Sequence, residues 1–210
     1  MPLLHIGRCE LPELIRAIHG YGGDETPRRR AVTRAALLFT LLTWTRTNEK
    51  RHASWDEFED VEGAAPLRRV PAERMKMARG HVVPLAPAVV ALLNDVRLYS
   101  TGRYVFAGEK PDRPISQNTM IYACYRMGYR ARQTVRGFWE LASTWADEAE
   151  CYQGNGIEMA LAHVERDEVR GAYSATFYLT PGGRKARGLS RVYPQPSGGD
   201  ARGARELWPI

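Results

Sequence analysis

Tyr173 follows His163 by ten residues, and arginines stand near both. A phenol hydroxyl, an imidazole and guanidinium groups are the parts of a phosphate site. Phosphoryl transfer by a protein nucleophile needs three things. A hydroxyl must attack, cations must hold the non-bridging oxygens, and an acid must protonate the departing oxygen. Taken singly these residues argue little. A tyrosine on an amphipathic helix is usually half-buried core, and a histidine near a helix end is usually structural. Only their combination points to phosphate chemistry.

These side chains must be carried by a frame, and the sequence sketches one. Residues 134–178 read as a helix, a break containing glycine, a short helix ending in Leu161-Ala162-His163, and a last helix carrying Tyr173. Upstream, Glu10 to Tyr21 has apolar residues at helical spacing and is closed by Gly22-Gly23. Thr26-Pro27 is a helix start, a capping residue before proline at the first position. The helix it opens runs to about Trp44, apolar nearly all round, and should be buried. Trp55-Asp56-Glu57-Phe58 reads as a turn into extended structure. Arg68–Pro71 and His81–Leu85 read as two strands flanking a basic turn, a small antiparallel hairpin or sheet. Pro87 to Tyr99 is an amphipathic helix, and residues 100–115 form a loop. Ser116 is expected to cap a helix from Gln117 to Gly128, with Met120, Ile121, Cys124 and Met127 as its core stripe. The class is mainly α with a small antiparallel β-sheet (α+β).

Composition sets the bounds. The 210 residues are 44% hydrophobic and 26% charged, ordinary globular values. No apolar run approaches a membrane span and the N-terminus is no signal peptide, so a soluble, cytoplasmic chain with no membrane partner is expected. Cys9, Cys124 and Cys151 are far apart, which predicts ordinary buried thiols rather than zinc or disulfides. The net charge is +6, but residues 180–210 hold +4 of it, leaving +2 on the other 179 residues. Bulk charge therefore does not establish nucleic-acid binding, although a local patch could provide it. Residues 180–210 are rich in Gly, Pro and Arg without periodicity, and disorder is expected there.

Four separately placed motifs carry a family resemblance. They are Thr43-Trp44-Thr45-Arg46-Thr47-Asn48-Glu49; Pro71-Ala72-Glu73-Arg74-Met75-Lys76-Met77 followed by His81-Val82-Val83-Pro84-Leu85; Leu161-Ala162-His163; and Val169-Arg170-Gly171-Ala172-Tyr173. Over residues 10–179 the chain resembles the catalytic domain of tyrosine recombinases, the phage and prophage integrases. The resemblance implies that residues 1–179 are an integrase-like catalytic domain and 180–210 an appended tail. Its reaction would be DNA integration or excision through a covalent 3′-phosphotyrosine, without metal or nucleotide cofactor. Arg46 would hold the scissile phosphate with its two-pronged guanidinium. Lys76, in the hairpin turn, would protonate the leaving 5′ oxygen. His163 would hydrogen-bond the phosphate and Tyr173 would attack. Arg126, Arg130 and Arg132 are candidates for DNA-backbone contacts, with a salt-dependent affinity.

One motif departs from the family pattern. Where this subfamily reads His-Gly-Phe-Arg, the chain reads Arg136-Gly137-Phe138-Trp139. The second histidine becomes Arg136, and the second arginine of the phosphate clamp becomes Trp139. By analogy with arginine fingers, losing such a cation costs on the order of 10³–10⁵ in rate. Impaired catalysis is expected, with partial rescue open to Arg136. The resemblance also implies preceding DNA-binding domains and a C-terminal exchange helix. The sequence begins at the catalytic domain, and the stretch from Thr180-Pro181-Gly182-Gly183 to the C-terminus reads as an out-of-frame continuation. The family assembles as a tetramer on synapsed double-stranded DNA; a monomer without DNA is expected here. The alternatives are an inactive DNA-binding remnant and a helical protein-interaction module.

Overall fold

The computed structural model describes residues 6–43, 45, 47–75, 80–110, 112–138 and 140–141. Its spine is α2 (Pro27–Thr43). The Thr26 hydroxyl accepts a hydrogen bond from the Arg29 amide at 3.3 Å, so the cap expected from Thr26-Pro27 is formed. Every residue from Val32 to Thr43 except Arg34 is buried, as the all-round apolar pattern predicts. Thr40 and Thr43 tolerate this burial because their hydroxyls donate to the Ala36 and Phe39 carbonyls at 2.7 Å.

Helix α1 (Leu11–His19) packs on α2 through Leu14 and Ile18. It ends earlier than expected, at Gly20 rather than Gly22-Gly23; the Gly20 amide donates to the Arg16 carbonyl at 2.9 Å. After α2 come the single-turn helix α3 (Thr47–Arg51), a 3₁₀ turn at Trp55–Glu57 and three short strands. These are β1 (Phe58–Glu59), β2 (Leu67–Val70) and β3 (His81–Pro84), antiparallel in the order β1-β2-β3. The β2–β3 register pairs Arg68 with Val83 and Val70 with His81, so the expected hairpin forms and gains a third strand.

Helix α4 (Pro87–Arg97) lays Val89, Leu93 and Val96 on α2. The expected loop over 100–115 is held by two isolated bridges, Ser54 with Tyr104 and Ala107 with Pro114. Gly108 is required there, since a Cβ would sit 2.9 Å from the Pro114 carbonyl oxygen. Helix α5 (Thr119–Arg126) starts two residues later than expected, and Ser116 is not its cap. The Ser116 hydroxyl instead meets the Thr119 hydroxyl at 3.2 Å, and Asn118 occupies the cap position without a side-chain bond. Met120 and Cys124 are fully buried as the stripe predicts, while Ile121 and Met127 are only partly so.

The core is closed by aromatic packing: Phe39 meets Phe106 edge-on at 5.3 Å between ring centres, and Phe58 at 6.3 Å. The architecture is α+β, mainly helical with one small antiparallel sheet. One cysteine expectation is corrected, because Cys9 is an exposed free thiol; Cys124 is buried. Among the described residues, no helix is long and apolar enough to cross a membrane.

Candidate functional site

Arg46, Lys76, Trp139, His163 and Tyr173 lie outside the described residues. The site is therefore read from the elements flanking the first three, and from Arg136. Before Arg46, the end of α2 is tied off by threonines: the Thr43 and Thr45 hydroxyls are 2.9 Å apart, and both residues are buried. Beyond it, α3 is anchored by Glu49 and Lys50, both almost wholly buried. Burial pushes the Lys50 amine down to about 7, against the opposing pull of Glu49 and of Cys124 on α5. The same burial pushes the Cys124 thiol up to about 12, so it is an inert core group.

Beneath α3 lies a buried charge network that joins it to the hairpin. The Arg68 side chain is fully buried, and its Nε and Nη2 each reach Glu57 Oε2 at 2.9 Å. Nη2 also donates to the Glu49 carbonyl of α3. The guanidinium lies 5.6 Å from the ring centres of both Phe39 and Phe58. Glu57 Oε1 accepts from the Ser54 amide at 3.0 Å and the Ser54 hydroxyl at 2.7 Å. That oxygen also pairs with Arg74, whose other nitrogen donates to the His52 carbonyl. One carboxylate thus serves two guanidiniums, and each of them satisfies a carbonyl at the C-terminal end of α3.

The third flank is the helix opened by Thr134, whose hydroxyl accepts from the Gly137 amide at 2.9 Å. Phe138 and Leu141 are buried and seat this helix on the core; Arg136, in the turn that leads into it, is exposed. Gln133, fully buried, fixes the approach: its Oε1 accepts from the Ile6 amide and its Nε2 donates to the Thr134 carbonyl, both at 2.8 Å.

Two of the three arginines expected at a DNA backbone are engaged within the protein. Arg126 reaches Glu25 at 2.9 Å and donates to the Tyr21 hydroxyl at 2.6 Å. Arg132 pairs with Glu10. Arg130 lies 5.6 Å over the Tyr125 ring. A cavity of about 350 Å³ sits at the far end of α2, where Arg28 donates to the Tyr99 and Gly108 carbonyls and Arg29 pairs with Glu25 and Glu109. Those bonds make it a braced joint rather than a reaction site. Among the described residues, no three His, Cys, Asp or Glu side chains are placed to hold a metal ion.

No family model matches the chain. Its sequence is 38% identical over 149 residues to prophage integrase IntA of Escherichia coli K12, covering 70% of this chain and 35% of that protein. It is 33% identical over 181 residues to the integrase of Enterobacteria phage P4, covering 79% and 39%. Prophage integrase IntZ of the same E. coli strain is 34% identical over 171 residues, covering 81% and 40%. The chain belongs to the tyrosine recombinase family, among the phage and prophage integrases. It spans well under half the length of these relatives. Its fold is that of tyrosine recombinase catalytic domains. A XerH site-specific recombinase bound to difH substrate superposes with a TM-score of 0.62 at 15% identity, covering 84% of this chain and 55% of that one. A lambda integrase tetramer bound to a Holliday junction gives 0.57 at 14%, covering 80% and 49%.

Within this chain, the Glu57, Arg68 and Arg74 network is what sequence reasoning missed. Arg74 stands inside a recognised motif and Glu57 in the turn expected at Trp55–Phe58, yet nothing in their spacing marks them as partners. For Arg68 a signal existed. Strand alternation puts Arg68 on the face of Val70, and Val70 is core.

Proposed function

We propose that this chain is the catalytic-domain part of a site-specific DNA recombinase of integrase type, impaired in strand cleavage. The observation that carries the reading is its similarity to phage and prophage integrases across most of its length. In this reading Tyr173 attacks a phosphodiester of double-stranded DNA and is left bonded to the 3′ phosphate. Lys76 protonates the 5′ oxygen that departs. Arg46 and His163 hold the non-bridging oxygens as charge builds on them. The chemistry needs no metal, because a guanidinium and an ammonium can neutralise the phosphate directly.

The impairment follows from Arg136-Gly137-Phe138-Trp139. An indole offers one N–H and no charge, so Trp139 cannot replace a guanidinium fork. Arg136, exposed in the turn that leads into this helix, retains a cation three residues before that position in sequence. The second reading, a DNA-binding remnant without cleavage, is favoured by the same indole. The protein is a monomer in the absence of DNA in either case.

Covalent capture on nicked suicide DNA at saturating protein tests the site. The chain as it stands is expected to give no adduct, and the double change Arg136→His with Trp139→Arg is expected to restore one that Tyr173→Phe abolishes. An adduct from the unaltered chain, lost in Tyr173→Phe, would overturn the impairment and make Arg136 the rescuing cation. DNA binding that survives Tyr173→Phe, with no adduct even from the double change, would favour the remnant.

A further inference from the structure

In sequence Lys76 lies between β2 and β3 and Arg46 between α2 and α3, and in the proposed function both act on one phosphate. The residues between them show how the two elements are held together. Arg74 lies two residues before Lys76, at the end of the 3₁₀ turn Ala72–Arg74. One of its nitrogens pairs with Glu57 and another donates to the His52 carbonyl, just past the end of α3. Helix α3 has five residues, too few to hold itself, so its end depends on such partners. Glu57 is in turn fixed by Ser54 and by the fully buried Arg68, which donates to the Glu49 carbonyl.

We propose that Arg74 is a positioning residue, latching the Lys76-bearing turn to α3 through Glu57 and the His52 carbonyl. Movement of Ala72–Met75, which precede Lys76 in sequence, is then transmitted to α3, which follows Arg46 in sequence. The roles of Arg46 and Lys76 rest on the proposed recombinase function; the latch itself does not. Arg74 suits the task because its side chain is only 26% exposed, between the two elements, and a guanidinium can address a carboxylate and a carbonyl with separate nitrogens. Glu57, almost excluded from water, shares its carboxylate between Arg68 of the hairpin strand and Arg74 of the turn.

Segment-resolved amide hydrogen exchange on the intact chain tests this without DNA or activity. Arg74→Met is expected to speed exchange at least tenfold in both 75–80 and 47–52, leaving the core amides of α2 and α4 unchanged. Arg74→Lys, a milder variant secure against misfolding, is expected to speed both segments in parallel by a smaller factor. Faster exchange in the turn alone would overturn the latch, as would a uniform rise that includes α2. Binding to nicked duplex DNA across a salt series supplies the functional arm. Unchanged exchange, with a salt slope lowered by about 0.9, would make Arg74 a direct phosphate contact and overturn the proposal.

Discussion

At position 57 a single carboxylate, almost excluded from water, meets two guanidiniums and a serine. Removing it leaves Arg68 buried and unpaired, which by experience with such pairs costs about 3–5 kcal/mol. Glu57→Ala is therefore expected to lower the urea midpoint by that equivalent, whereas Glu59→Ala, whose partner Arg69 is exposed, should leave it nearly unchanged. Equal effects would mean the buried pair is solvated in solution. The contrast also marks what the sequence left unread. Glu57 and Glu59 are two residues apart beside the same strand, and only the direction each faces separates a structural charge from a solvated one.

Short elements next to the site depend on their surroundings, and α3 shows this most clearly. Lys50 is buried with a folded value of about 7, below the 10.5 of a free lysine. Between those two pH values the unfolded chain binds a proton that the folded chain lacks, so stability rises with pH across that window. Below about pH 7 both states are protonated and the full cost of burying an ammonium is present. Urea denaturation at pH 6 and pH 9 should show the increase, and Lys50→Met should flatten it; a flat profile in the unaltered chain would mean Lys50 reaches water. At α2 the argument is simpler. Thr26→Ala removes a formed cap and should cost about 1 kcal/mol by thermal or urea unfolding, within a 0.5–2 kcal/mol range. The cap could be predicted because its donor and acceptor are three residues apart. Ser116 is as close to its helix, but its hydroxyl meets the Thr119 hydroxyl and α5 begins at Thr119 with Asn118 in the cap position.

Across the whole molecule, charge is spent on internal joints as much as it is offered to a partner. Arg28, Arg29, Arg126 and Arg132 each tie one helix or loop to another. Arg130→Ala should lower the slope of log affinity against log salt by about 0.9, the loss of one phosphate contact. Arg126→Ala should instead lower the melting temperature by a few degrees, because it removes the donor to the Tyr21 hydroxyl and leaves Glu25, only 8% exposed, with Arg29 as its remaining cation. If both variants changed the slope alike, the Arg126 ion pair would open on DNA. This division of labour explains why a net charge of +6 says so little about binding.

What the sequence determined by itself were the features whose causes are local or carried in motif order. The buried α2 follows from an unbroken apolar run behind Thr26-Pro27, the hairpin from two β-rich runs around a polar turn, and the family from four motifs in order. The replacement at Arg136 and Trp139 is visible in the letters alone. Only the tertiary structure decided which polar and charged groups meet. Arg68 and Glu57 are eleven residues apart, Gln133 and Ile6 are 127 apart, and Arg126 and Tyr21 are 105 apart. A charged side chain is placed inside only when the fold brings its counter-charge to the same point, because the desolvation cost must be offset there. No local pattern of residues records that meeting.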